Sequence, residues 1–417
     1  MLNKLTINKA DYFIWLYILY QLQDIVYPAG RLNQILGVLF LFFSLILGGK
    51  YLLIDKYRPA LLNITSLLIW MYIIYGTIFI FSSSLLDLEF NRYYYLQGFL
   101  LSLMPILAVY DLYNRQYLNK QKILIYLIPL FILCILHFIK NHNDIISRFE
   151  ELGASIEEAT NNVGYEFLCL FPLILLIRNK FYRYILLLVA IGFIISSFKR
   201  GAIIICIICF IYIALFELFN SKNTNKLFTF ILLFIISVIG YKYTVDLHSN
   251  SVYFQQRVEA TEEGSMSHRE VLWEDITESY LSGNPLQLLI GRGANSTLEA
   301  TDNYAHNDWL ETLHNNGFFG ALILLSFYLA ILITTNKIKH QISNEELLSY
   351  RVLFIICFIR TFFSMSILDM TLGLDLVIAY LIYRRETSSA TFNDETPIKD
   401  MKDINLENNH KIINNDF

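Results

Sequence analysis

Apolar runs of membrane-crossing length recur along this chain, and most of its charge lies in the gaps between them. An α-helix rises 1.5 Å per residue, so about 20 apolar residues cover the hydrocarbon of a bilayer. Runs near that length fall at 12–28, 32–54, 59–82, 95–112, 122–139, 163–178, 181–198, 201–219, 226–245, 317–335, 350–368 and 371–383, the last being short and interrupted by Asp375. The expected fold is an all-α integral membrane protein of about twelve transmembrane helices with one large outer loop containing short helices. With 55% hydrophobic residues and a mean hydropathy of +0.47, a single soluble domain is excluded. The formal net charge of −4 gives no electrostatic basis for nucleic acid as a partner.

Lysine and arginine set the orientation, because short cytoplasmic loops retain them. With the N-terminus inside, the inner connections carry Lys50, Lys56 and Arg58, then Arg115, Lys120 and Lys122, then Arg178, Lys180 and Arg183. Lys222 and Lys226, Lys337 and Lys339, and Arg384 and Arg385 continue the pattern. Lys4 and Lys9 precede the first run without a small-residue cleavage site, which reads as a retained helix rather than a removed signal peptide. The expected organisation is therefore spans one to nine over 1–245, an outer loop over 246–316, spans ten to twelve over 317–383, and a disordered cytoplasmic tail over 384–417. Residues 140–162 carry the stripe Ile145, Phe149, Leu152, Ile156 and Ala159, which suits a helix lying on the outer membrane surface. All five cysteines fall in apolar runs; Cys206-x-x-Cys209 reads as helix filler rather than a redox or metal pair.

Two features break the charge rule. Lys199 and Arg200 stand at the outer end of the seventh run, either snorkelling to headgroups or holding an anion. Arg360 lies inside the eleventh run, either paired with Asp369 or Asp375 or lining the same cavity.

The outer loop holds the remaining candidates. Ser267-His268-Arg269-Glu270 reads as a capping box opening a helix through Trp273, Ile276 and Tyr280. Arg269 would stand in its first turn, where the helix dipole disfavours a cation, so it either pairs with Glu262, Glu263 or Glu274 or awaits an anion. Gly291-Arg292-Gly293 is a turn permitting close backbone approach. In the stretch from Tyr304 to Gly320, His306, Leu310 and Leu313 share a helical face leading into the tenth span, with Gly317 and Gly320 placed for tight helix packing. His306 at the membrane surface is a candidate base, with a structural role as the alternative. His306, Asp308 and Glu311 are spaced around a helix rather than along one face, which argues against a metal set.

Ser196-x-x-Lys199-Arg200-Gly201, Arg269 with Trp273, Gly291-Arg292-Gly293, and His306-Asn307 through Leu310 to Gly317-x-x-Gly320 together resemble the bacterial O-antigen ligase and O-antigen polymerase family of membrane glycosyltransferases. The resemblance covers roughly residues 160–335. Lys199 beside Arg200 departs from the Ser-Arg more often found there, and Arg200 is taken as the functional cation because Gly201 follows it.

The family implies transfer on the outer face of the inner membrane without a metal or other cofactor. An undecaprenyl-pyrophosphate-linked oligosaccharide is the donor, and the acceptor glycan is a lipid-linked repeat unit or lipid A core. Arg200 and Arg269 would hold the pyrophosphate and His306 would activate the acceptor hydroxyl, with Lys199, Arg292, Asn307 and Arg360 as further substrate-binding positions. A chain-length regulator is a possible associate. Polymerisation is the expected activity and ligation the alternative within the family. The alternative from another class is a twelve-helix precursor transporter or flippase, but its polar residues would be expected at midplane, with internal repeats that this sequence lacks.

Overall fold

The computed structural model describes residues 7–27, 30–53, 64, 71, 92–151, 162–220, 238–246, 249–262, 269–364 and 371–394, which are helical or in turns and contain no strand. The helices are α1 (Lys9–Val26), α2 (Arg31–Leu53), α3 (Arg92–Asn114), α4 (Lys120–Glu151), α5 (Val163–Leu175), α6 (Lys180–Ser196) and α7 (Arg200–Asn220). They continue with α8 (Val252–Glu262), α9 (Arg269–Leu281), α10 (Pro285–Ile290), α11 (Ser296–Thr301), α12 (Asp308–Ile338), α13 (Asn344–Arg360) and α14 (Leu372–Asp394). Four helical stretches, Arg31–Gly49, Lys120–Ile145, Arg200–Asn220 and Asp308–Ile338, are long and apolar enough to cross a membrane. Most of the expected spans at 59–82 and 226–245 lies outside the described residues, as do 395–417.

The starts of these helices follow from local chemistry. Asn8 with Asp11, Asn284 with Gln287, and Ser343 with Glu346 form capping boxes on α1, α10 and α13, satisfying N–H groups that the first helical turn leaves unpaired. Along α4, Ile125, Ile128, Ile132, Leu136 and Ile139 form an exposed stripe at helical spacing, a face suited to lipid. The centre is α5, buried along nearly its whole length and packed by α4, α6, α13 and α14.

Connectivity sorts the helix ends. The start of α5, the α6–α7 junction, the start of α12 and the end of α13 gather at one end of the bundle. At the other end, Glu217 pairs with Arg183 at 2.7 Å and Lys180 at 2.6 Å, and Glu346 accepts from Tyr380 at 2.6 Å. All five cysteines are buried and free.

Two expectations are corrected. The surface helix starting near 140 is not separate: α4 runs unbroken from Lys120 to Glu151, with 152–161 outside the described residues. Gly317 does not serve as a smooth helix-packing position either. It breaks α12 with φ 67° and ψ −170°, and a Cβ there would lie 2.4 Å from the Gly291 nitrogen.

Candidate functional site

The site is built around Tyr165, in the first turn of α5. Its backbone neighbour Gly164 lets that helix approach the α6–α7 junction closely; a Cβ at 164 would stand 2.3 Å from Ser197 Oγ. The junction is a tight turn with Phe198 in the left-handed region at φ 54°. It delivers Lys199 Nζ to 5.9 Å from the centre of the Tyr165 ring. Arg200 follows, half-buried, as the first residue of α7. The glycine after it has a steric reason: a Cβ at 201 would meet Tyr165 Oη at 2.2 Å and Phe363 Cβ at 2.9 Å.

Arg360 ends α13 and is 1% exposed. Its guanidinium carbon lies 4.8 Å from the Tyr165 ring centre, and Nη1 lies 3.6 Å from Cys169 Sγ. Asp375, one of its two expected carboxylate partners, is buried with Oδ1 lacking a hydrogen-bond partner among the described residues; Asp369 lies outside them. Arg269 stands in the first turn of α9, as expected, while Ser267 and His268 of the expected capping box lie outside the described residues. Its Nη1 donates to the Phe363 carbonyl at 3.2 Å, and Tyr165 Oη donates to the same oxygen at 3.5 Å. Glu274 is not its partner among the described residues; a main-chain dipole is. Burial lowers the Arg269 pKa, while Tyr165 opposes that shift.

His306 joins this group from the loop before α12. It is not on the helix, which corrects the shared-face expectation. Asn307 is the N-cap, accepting from Trp309 N at 2.9 Å and Leu310 N at 3.3 Å, and His306 precedes it in the left-handed region at φ 50°. That conformation costs a non-glycine residue roughly 1–2 kcal/mol and must be held by its surroundings. Burial, reinforced by the charges of Arg269 and Lys199, pushes the imidazole pKa down to about 4. The ring is therefore neutral at pH 7, with a lone pair available.

Asn307 and Arg292 have other partners. The Asn307 amide oxygen is engaged in the cap. Arg292 donates through Nη2 to the Ser279 carbonyl and to Ser282 Oγ at 3.1 Å, tethering the end of α9. The glycines flanking it serve backbone packing. Arg292 N and Gly293 N both donate at 2.9 Å, to the His314 and Asn315 carbonyls, beside the break at Gly317. Thus the structure brings Lys199, Arg269 and Arg360 around Tyr165, with His306 under the charges of Arg269 and Lys199 and Arg200 at the adjoining helix start, while Arg292 is engaged elsewhere. No pattern in the sequence singles out Tyr165, Gly164 or Phe363. One tyrosine among 28 carries no local signal of a special role.

Chemically, this arrangement can hold a multiply charged anion on guanidinium and ammonium groups in a partly dry site, beside a neutral imidazole. Among the described residues, no group of three or more His, Cys, Asp or Glu side chains could hold a metal ion. Fold and site define a multi-pass, all-helical membrane protein with cations collected at one end of its bundle. Residues 185–325 match the family model described as O-antigen ligase, which supports the O-antigen ligase and polymerase family and a function of that general type. The match takes in Lys199, Arg200, Arg269, Arg292, His306 and Asn307, and leaves Tyr165 and Arg360 outside. No curated protein matches the chain.

Proposed function

We propose that this protein polymerises lipid-linked oligosaccharide repeat units on the periplasmic face of the bacterial inner membrane. About twelve spans would carry the large loop 246–316 on that face, with 384–417 as a cytoplasmic tail. The donor is a glycan on undecaprenyl pyrophosphate, and the acceptor is a sugar hydroxyl of a second lipid-linked unit. The observation carrying this reading is the gathering of Arg269, Lys199 and Arg360 about Tyr165, with two of those cations, Arg269 and Lys199, acting on the imidazole of His306. Arg200, at the helix start beside them, and Arg269 hold the diphosphate. Negative charge grows on it as the glycosidic bond breaks, so these cations stabilise the transition state more than the ground state. His306 removes the proton from the attacking hydroxyl. A single displacement inverts the anomeric carbon, and no metal takes part.

The alternative within the family is ligation, with lipid A core as the acceptor. Both acceptors should be tested with full-length protein in nanodiscs, supplied with lipid-linked repeat units from the host. Polymerisation yields a ladder of lengthening lipid-linked products that His306→Ala abolishes and chelators leave intact. Transfer only to added lipid A core would replace polymerase by ligase. Movement of donor across sealed vesicles, unaffected by His306→Ala, would point to the transporter instead.

A further inference from the structure

We propose that Glu311 is a positioning residue for His306, an assignment that rests on the transferase reading above. Glu311 is 4% exposed and sits in the first turn of α12. Its carboxyl group gathers three donors from separate stretches of chain: Oε2 accepts from Ala305 N at 3.0 Å, and Oε1 accepts from Thr297 Oγ1 at 2.6 Å and Asn315 Nδ2 at 2.9 Å. None of these partners is a cation, so a buried acid is kept here for its geometry rather than for an ion pair.

The position it fixes is the residue before His306. Ala305 is held on both sides, its N–H by Glu311 and its carbonyl by Trp273 Nε1 at 2.7 Å. Beyond His306, the Asn307 side chain caps α12 and Asp308 N donates to the Thr361 carbonyl at 2.8 Å. His306 is suspended between these anchors at φ 50°. Among the described residues no hydrogen bond orients its imidazole. The main chain therefore aims the ring, and Glu311 holds the main chain. A base misplaced by about 1 Å can lose roughly a hundredfold in rate.

The test is Glu311→Gln in the full-length protein. The new amide presents hydrogens where one set of donors already points, so either Ala305 or the Thr297–Asn315 side loses its acceptor. The expected result is a kcat lower by about 10–100-fold, with donor KM within about twofold of wild type. The swap E311Q/N315D lets the new amide donate to a new carboxylate and should return kcat to within about fivefold. If Glu311→Gln does not fold, Trp273→Phe releases the other side of Ala305 and should lower kcat by about 3–10-fold on its own.

A folded Glu311→Gln variant with wild-type kcat overturns the assignment. So does a loss of kcat, KM and melting temperature together that the swap leaves uncorrected. His306→Ala in the same assay separates the two readings: wild-type turnover there removes the transferase role of His306, whereas an inactive His306→Ala beside a normal Glu311→Gln removes only the positioning role. A readout independent of transfer is diethylpyrocarbonate acylation of His306, followed by mass spectrometry. Its rate should change several-fold in Glu311→Gln, and an unchanged rate counts against positioning.

Discussion

Arg360 places its guanidinium carbon 4.8 Å from the centre of the Tyr165 ring, deep at the end of α13 and 1% exposed. The ring also lies 5.9 Å from Lys199 Nζ, so one aromatic faces two cations, one ending α13 and one from the α6–α7 junction. Its quadrupole offsets part of their mutual repulsion, by about 0.5–2 kcal/mol per cation in such surroundings. Tyr165→Phe keeps the ring and loses the hydroxyl's hydrogen bond to the Phe363 carbonyl; Tyr165→Leu loses both. The expected outcome is a small effect for phenylalanine and a rise in donor KM of about tenfold or more for leucine. Steady-state transfer at varied donor concentration separates them. Equal behaviour of the two variants would show that the ring is only core.

Arg269 and Arg200 make a separate prediction. A guanidinium can meet two phosphate oxygens at once, whereas an ammonium meets them as a point charge. Arg269→Lys and Arg200→Lys should each lower kcat/KM for the donor by about 10–100-fold without changing folding. Arg292→Lys should act through stability instead, because that side chain bonds to Ser279 in the last turn of α9 and to Ser282 just after it. Thermal melting and single-turnover rates together check the division. If both arginine replacements transfer normally, the diphosphate clamp is wrong.

The sequence made several parts of this legible, for physical reasons that also mark where reading stopped. Apolar runs such as 201–219 announce helices because hydrocarbon tolerates little else, and α7 falls at Arg200–Asn220. Lys199 and Arg200 stood out because cations at that place violate a charge rule. The sequence places Arg269 in the first turn of a helix, and α9 has it there. What stayed hidden depends on contacts between distant stretches. Tyr165 matters only because Lys199, Arg360 and Phe363 arrive around it from elsewhere in the chain. The spacing of His306 from Leu310 and Leu313 is helical and points to a shared helix face; the Asn307 cap decides otherwise. For Glu311 the sequence offers only a metal set that its spacing argues against, since nothing local reveals that its oxygens accept from Ala305, Thr297 and Asn315.

The break at Gly317 gives a stability prediction. Its φ of 67° disfavours any side chain, and a Cβ would approach both the Gly291 nitrogen and the Leu289 carbonyl carbon to 2.4 Å. Backbone cannot yield as a flexible side chain can. Gly317→Ala should destabilise the protein by about 2–4 kcal/mol. Gly192, inside α6, has nothing within 4 Å of its would-be Cβ, so Gly192→Ala should be neutral or stabilising by up to about 1 kcal/mol. Melting curves in the same detergent compare them directly. A Gly317→Ala protein as stable as Gly192→Ala would contradict the backbone packing described for the Gly291–Gly293 turn.

The pH dependence of transfer tests His306 itself. Burial and the charges of Arg269 and Lys199 hold its pKa down to about 4, so the imidazole is neutral at pH 7 and gains a proton only as pH falls through that value. A base must be neutral to act, so kcat/KM should stay level from neutrality down to about pH 5 and fall below it. A bound diphosphate offsets the two cations and raises the pKa, because an anion nearby favours the imidazolium. The acidic limb of kcat, which reports the donor-bound enzyme, should therefore lie at higher pH than that of kcat/KM. Removing one cation acts in the same direction on the free enzyme: Arg269→Gln should move the kcat/KM limb upward even as it weakens donor binding. Rate profiles between pH 3.5 and 8 decide the matter. A kcat limb at or below the kcat/KM limb, or one that Arg269→Gln leaves in place, would mean that the titrating group is not the imidazole beside these cations.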